Sequence, residues 1–113
     1  VSASDDAAND ALDAAFGTCD TARLHTGDPG SAGTDNVLGT GDDASITFGS
    51  ATNRSITTTG GIITWTDLSA SGTVTHVSLW DGSAYRGYAT LSSARSVEEE
   101  GSFAVASITM SVP

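Results

Sequence analysis

The sequence predicts a mainly β domain, an antiparallel β-sandwich or barrel-like fold of about seven strands with one short N-terminal helix. Three observations carry that expectation. From Thr21 onward, short β-prone segments alternate with Gly, Asn, Asp and Ser clusters. Residues 102–112 alternate apolar and polar side chains, as a half-buried strand does. Residues 4–16 are instead spaced as a helix, and 113 residues make a single domain, 1–113.

In chain order, "SDDAANDALDAAF" (4–16) sets Ala8, Ala11, Leu12, Ala15 and Phe16 at helical spacing, with Ser4 as cap and Gly17 as stop. Leu12 and Phe16 are its only large anchors, so the helix must dock to be stable. The expected strands are 21–25, 44–48, 53–58, 61–68, 73–81, 85–91 and 102–112. In 73–81, strict alternation turns Val77 and Leu79 to the core and puts Val74, His76 and Trp80 on the other side, under a second layer. In 102–112 it groups Ala104, Ala106, Ile108, Met110 and Val112 on one face. Residues 26–43 form one long acidic loop, and Glu98, Glu99 and Glu100 before Gly101 mark a hairpin turn.

Composition narrows the function classes. Fourteen acidic residues against four arginines and no lysine give a net charge of −10, which argues against nucleic acid as a partner. Nine of the acids lie in residues 1–50, where only Arg23 offsets them. The same acidic, lysine-free character suits a high-salt or GC-rich host. With sixteen alanines and only seven aromatics, a lone subunit is thinly stabilised, so burial of some apolar surface against copies of itself or against another protein is expected. Its single cysteine, Cys19, allows no intrachain disulfide and reads as a buried apolar residue. No apolar run is long enough for a membrane span, and the opening "VSASDDAAND" lacks the basic and apolar regions of a signal peptide. Neither membrane insertion nor an export signal is expected.

No residue set points to catalysis or to a cofactor. His25 stands three residues before Asp28, but Asp28, Pro29 and Gly30 form a turn for local reasons, and no nucleophile elbow accompanies them. His76 reads as a partly buried histidine beside an aromatic, and nothing in its spacing from His25 builds a zinc site. Asp35, Asp42 and Asp43 are the nearest approach to a calcium set, without an EF-hand or stacked-repeat framework around them. No metal and no phosphate-binding loop is expected. The residues expected at interfaces are Leu12, Phe16, Val37, Leu38, Trp65 and Trp80.

Motif order adds a resemblance. "ALDAAFG", "ARLHTGDPGSAGT", "ITFGSATNRSITTTGGIITWTDL", "GTVTHVSLWDGSAYRGYATL" and "GSFAVASITMSV" follow one another over nearly the whole chain. In that order they resemble the small tail-fibre-like, minor virion structural proteins of tailed bacteriophages and related archaeal tailed viruses. "LHTGDPG" (24–30) and "TVTHVSLWD" (73–81) are the specific parts. The resemblance implies a non-enzymatic structural protein on the capsid or tail surface. A unit of this size, lacking lysine and a long shaft, suits a capsid decoration, turret or tail-accessory subunit. Its implied partners are copies of itself and the capsid or tail shell. The alternative is a carbohydrate-binding adhesin for a host surface glycan, with Trp65, Trp80, Tyr85 or Tyr88 exposed for stacking. Exposure of those rings discriminates the two.

Overall fold

The computed structural model describes residues 4–40 and 42–112. Gly41 of the expected loop lies outside the described residues, as do Val1, Ser2, Ala3 and Pro113 of the expected domain. The described chain is mainly β, with one helix and eight strands in three sheets.

Helix α1 (Asp5–Phe16) starts where Ser4 Oγ accepts from the Ala7 amide at 3.2 Å, with Asp5 and Asp6 in the first turn. Gly17 ends it, but in a right-handed conformation. Glycine is needed there because a Cβ would stand 2.5 Å from the Asp13 carbonyl oxygen. The helix docks as expected, and two of its polar side chains fix its seat. Asp13 Oδ1 accepts from the Ala51 amide at 2.8 Å, and Asn9 Oδ1 from the Arg54 amide at 2.9 Å.

Strands β1 (Thr21–His25), β2 (Asp43–Ser45), β5 (Gly72–Asp81) and β6 (Ala84–Val97) form one antiparallel sheet in the order β2-β1-β5-β6. Strands β3 (Ser55–Thr57) and β4 (Ile63–Trp65) each pair with a C-terminal strand, β8 (Thr109–Ser111) and β7 (Phe103–Val105) respectively. The expected strand 102–112 is thus two strands. Phe103 is buried and Val105 half-buried while Ala104 and Ala106 are exposed; after the break, Ile108 is buried and Met110 half-buried. The interruption resets the phase, so the two alanines do not share the inward face with Ile108.

Ala22, Leu24, Val77 and Leu79 from one face of the large sheet join Ile56, Ile63, Trp65, Leu68, Phe103 and Ile108 in a single apolar cluster. Trp65 Nε1 donates to the Ala22 carbonyl at 3.1 Å, which satisfies its one polar atom inside that cluster. Val74 belongs to this cluster too, against the expectation from strict alternation. The β5–β6 register breaks between Val74 and His76, the alternation does not carry across that break, and Val74 lies on the core side. The acidic turn also differs: Gly101 N–H bonds to the Glu98 carbonyl, but β6 and β7 do not pair, so the turn carries the chain between sheets.

Candidate functional site

Two regions flank β5 and β6, one closed and one open. The closed one lies on the sheet face opposite the apolar cluster, where His25 stands across from His76, Arg23 from Ser78 and Thr21 from Trp80. His25 and Ser78 are wholly buried. His25 Nδ1 is 2.8 Å from the Asp35 carbonyl oxygen, which can only accept, so Nδ1 carries the proton. Nε2 therefore accepts from Ser78 Oγ at 2.7 Å, and Ser78 Oγ in turn accepts from Trp80 Nε1 at 2.7 Å. With its proton on His25, Ser78 leaves only a longer, 3.4 Å approach to the Arg23 carbonyl. Burial is the largest influence on His25 and pushes its pKa below the usual histidine value. The bond to Asp35 opposes that shift, while Arg23 and His76 add to it.

The "LHTGDPG" segment closes over this chain of bonds. Asp28 Oδ1 accepts from the Gly30 amide at 2.8 Å, making the expected turn, and Pro29 is buried. The loop returns through Asp35 N–H to the Pro29 carbonyl, Thr26 N–H to the Asn36 carbonyl and Leu38 N–H to the Leu24 carbonyl. Gly33, at φ +73°, lies so close to the Tyr85 ring that any side chain would collide. The Tyr85 ring packs tilted against Trp80 with centroids 5.2 Å apart, and Arg23 lies 4.9 Å over the Trp80 ring. A Ser–His contact is present, but its serine is spent on the tryptophan and sealed from solvent. Sequence reasoning separated His25 from Ser78 because they lie 53 residues apart; only the β1–β5 register joins them.

The residues expected at interfaces are mostly inside. Leu12, Leu38 and Trp65 are buried, Trp80 is 7% exposed, Phe16 packs on the core against Phe48, and Val37 is half-buried in a bridge to His25. In this structure the four buried ones offer no surface to a partner. They satisfy within the chain the need that suggested an interface. Asp35, Asp42 and Asp43 are not gathered either. Asp42 accepts from the Ser69 amide and hydroxyl, and Asp43 pairs with Arg23 at 2.8 Å. Among the described residues no three His, Cys, Asp or Glu side chains form a metal-sized group. Cys19 is buried as expected, and burial, reinforced by the Asp81 carboxylate, pushes its thiol up to about 11.

The open region is β6. It is an edge strand of 14 residues, longer than the expected 85–91, and it pairs only with β5. Val74 pairs with Arg95 and His76 with Thr90, so four residues, 91–94, stand opposite Thr75 alone. Two adjoining cavities of 230 and 200 Å³ lie between this part of β6 and the chain at 103–109. Leu91, Ser92 and Val105 line both, and Arg95 lines the first. Arg23, Arg54 and Arg86 each meet an aspartate, whereas Arg95 has no ion-pair partner among the described residues. The local sequence carried one signal for this region that went unused. Residues 82–97 hold two arginines and no acid in a chain of net charge −10.

Compared with known proteins, the chain matches no family model, no curated protein and no solved structure. Among the described residues no helix is long and apolar enough to cross a membrane.

Proposed function

We propose that the chain is a non-enzymatic structural subunit of a tailed-virus particle, a small repeated unit on the capsid or tail surface that acts by self-association and by binding the shell. The observation that carries the reading is the 14-residue edge of β6, which offers a row of unpaired backbone groups beside an open cleft. Exposed edges of this length are the usual template for pairing with another chain. The order of the "LHTGDPG" and "TVTHVSLWD" segments supports the virion setting. The small sheets against one face of the large sheet support a sandwich-like body.

The test is to wash purified particles across a salt series and locate the chain by mass spectrometry and cryo-EM. Retention at high salt is expected if the seat is apolar, and loss at high salt if charge holds it. Absence from intact particles overturns the reading. A second reading, a glycan-binding adhesin, draws on Tyr88, which is 40% exposed beside the His76 ring at 5.5 Å. With Trp65 and Trp80 buried, little stacking surface remains for it. Glycan-array binding abolished by Tyr88→Ala would favour that alternative.

A further inference from the structure

We infer that two copies of this chain pair antiparallel along the free edge of β6, about a two-fold axis at Ser92, so that Arg86 of each copy meets Glu98 of the other. The inference deepens the self-association in the reading above and rests on it. Three observations converge on this register.

The first is charge. Along residues 86–100 the cations are Arg86 and Arg95, and the anions are Glu98, Glu99 and Glu100, immediately beyond the end of β6. In an antiparallel pair centred on Ser92, position 86 falls opposite position 98, so both ends of the overlap bring a guanidinium to a carboxylate. Arg95 falls opposite Ala89, and no like charges are opposed. A partner so acidic overall suits β6, which carries two arginines and no acid. Arg86 is not tightly held at home, since its contact to Asp81 is 3.6 Å and both side chains are substantially exposed.

The second is backbone supply. Residues 91–94 have no register partner on β5 apart from the single residue Thr75. The proposed axis runs through this stretch, and the N–H and C=O groups of β6 that point away from β5 are the ones a second copy pairs.

The third is apolar surface. Ala89, Leu91 and Val105 are only partly buried against the core, and Leu91 and Val105 border both cavities beside the axis. A second β6 brings its own Leu91 to this position and covers both clefts symmetrically, as an isologous contact requires. Nothing bulky obstructs the axis: Ser92, Ser93 and Ala94 are small, and β6 contains no proline.

The register is tested by cysteine cross-linking in the full chain. Cys19 can stay, because it is buried. Ser92→Cys places two thiols directly opposite each other, within disulfide reach, whereas Ser96→Cys places them about 27 Å apart at about 3.4 Å per residue. Under mild oxidation Ser92→Cys should run as a covalent dimer on a non-reducing gel and Ser96→Cys as a monomer. In sedimentation, the unmodified chain should appear at twice 11.3 kDa. Arg86→Glu should weaken the dimer by about tenfold or more, and the swap Arg86→Glu with Glu98→Arg should restore it. Circular dichroism on each variant separates dissociation from misfolding. A chain that stays monomeric at all concentrations, a link at Ser96 rather than Ser92, or a charge swap that does not restore association overturns the inference. A Ser92-linked dimer absent from particles would refute the virion reading and leave this one standing. Chain present on particles but unlinked at Ser92 would do the reverse.

Discussion

The two sides of the β5–β6 hairpin handle polar groups in opposite ways. On the loop-covered face, Trp80, Ser78, His25 and the Asp35 carbonyl pass hydrogen bonds along one line, and among the described residues no buried side-chain nitrogen or oxygen lacks a partner. At β6 the backbone ladder stops at the outer edge, a four-residue bulge interrupts the pairing with β5, a cleft lies beside it, and Arg95 has no ion-pair partner among the described residues. Buried polar groups must be paired because desolvation is costly, whereas exposed ones can wait for water or another chain. Inside, the paired polar groups help hold the fold; at the edge, backbone groups are left to solvent.

Four measurements break or sharpen this contrast. Leu79→Ala, on the core side of β5, should cost about 2–5 kcal/mol in denaturant unfolding, because Leu79 is fully buried in the apolar cluster. Ser78→Ala, on the other side of the same strand, leaves the Trp80 N–H and the His25 Nε2 without their partner. It should cost about 1–3 kcal/mol for each group left unsatisfied. An unchanged unfolding midpoint for Ser78→Ala would mean that the line of bonds contributes nothing to stability.

The third concerns pH. His25 has a folded pKa below its ordinary value of 6.5, so the unfolded chain binds the extra proton first as pH falls. The histidine's contribution is fully present above 6.5 and is lost progressively as pH drops from there through the folded value. In His25→Gln, the part of the fall in melting temperature between pH 7.5 and 5.5 that belongs to this residue should disappear. An identical pH profile would show that His25 does not couple protonation to folding. The smallest effect belongs to the open edge. Arg95→Ser should change the stability of the isolated chain by no more than about 0.5 kcal/mol, measured at concentrations where the chain is monomeric. A larger loss would mean that Arg95 has a structural partner within its own chain.

Much of the fold was legible because local chemistry states it plainly. Ser4, the two aspartates and the spacing of Leu12 and Phe16 define α1 almost to the residue, and "TARLH" matches β1. "TVTHVSLWD" matches β5 with one added residue at its start. The Asp28 to Gly30 turn was equally plain, since an Asx turn needs only its own residues. Side-chain parity was less secure, because it survives only while a strand runs unbroken. Val74 changed sides at a bulge, and Ala104 and Ala106 changed sides at the break between β7 and β8.

By itself, the sequence determined the mainly β class, the leading helix, the buried cysteine and the local turn of the "LHTGDPG" segment. Tertiary structure alone decided that His25 meets Ser78 and that Trp65 and Trp80 lie inside. It also decided that β6 is a 14-residue edge strand paired on one side only. The division has a physical reason. Caps, turns and alternation arise from residues a few positions apart, whereas burial and strand order depend on pairings across tens of residues, which local pattern does not encode.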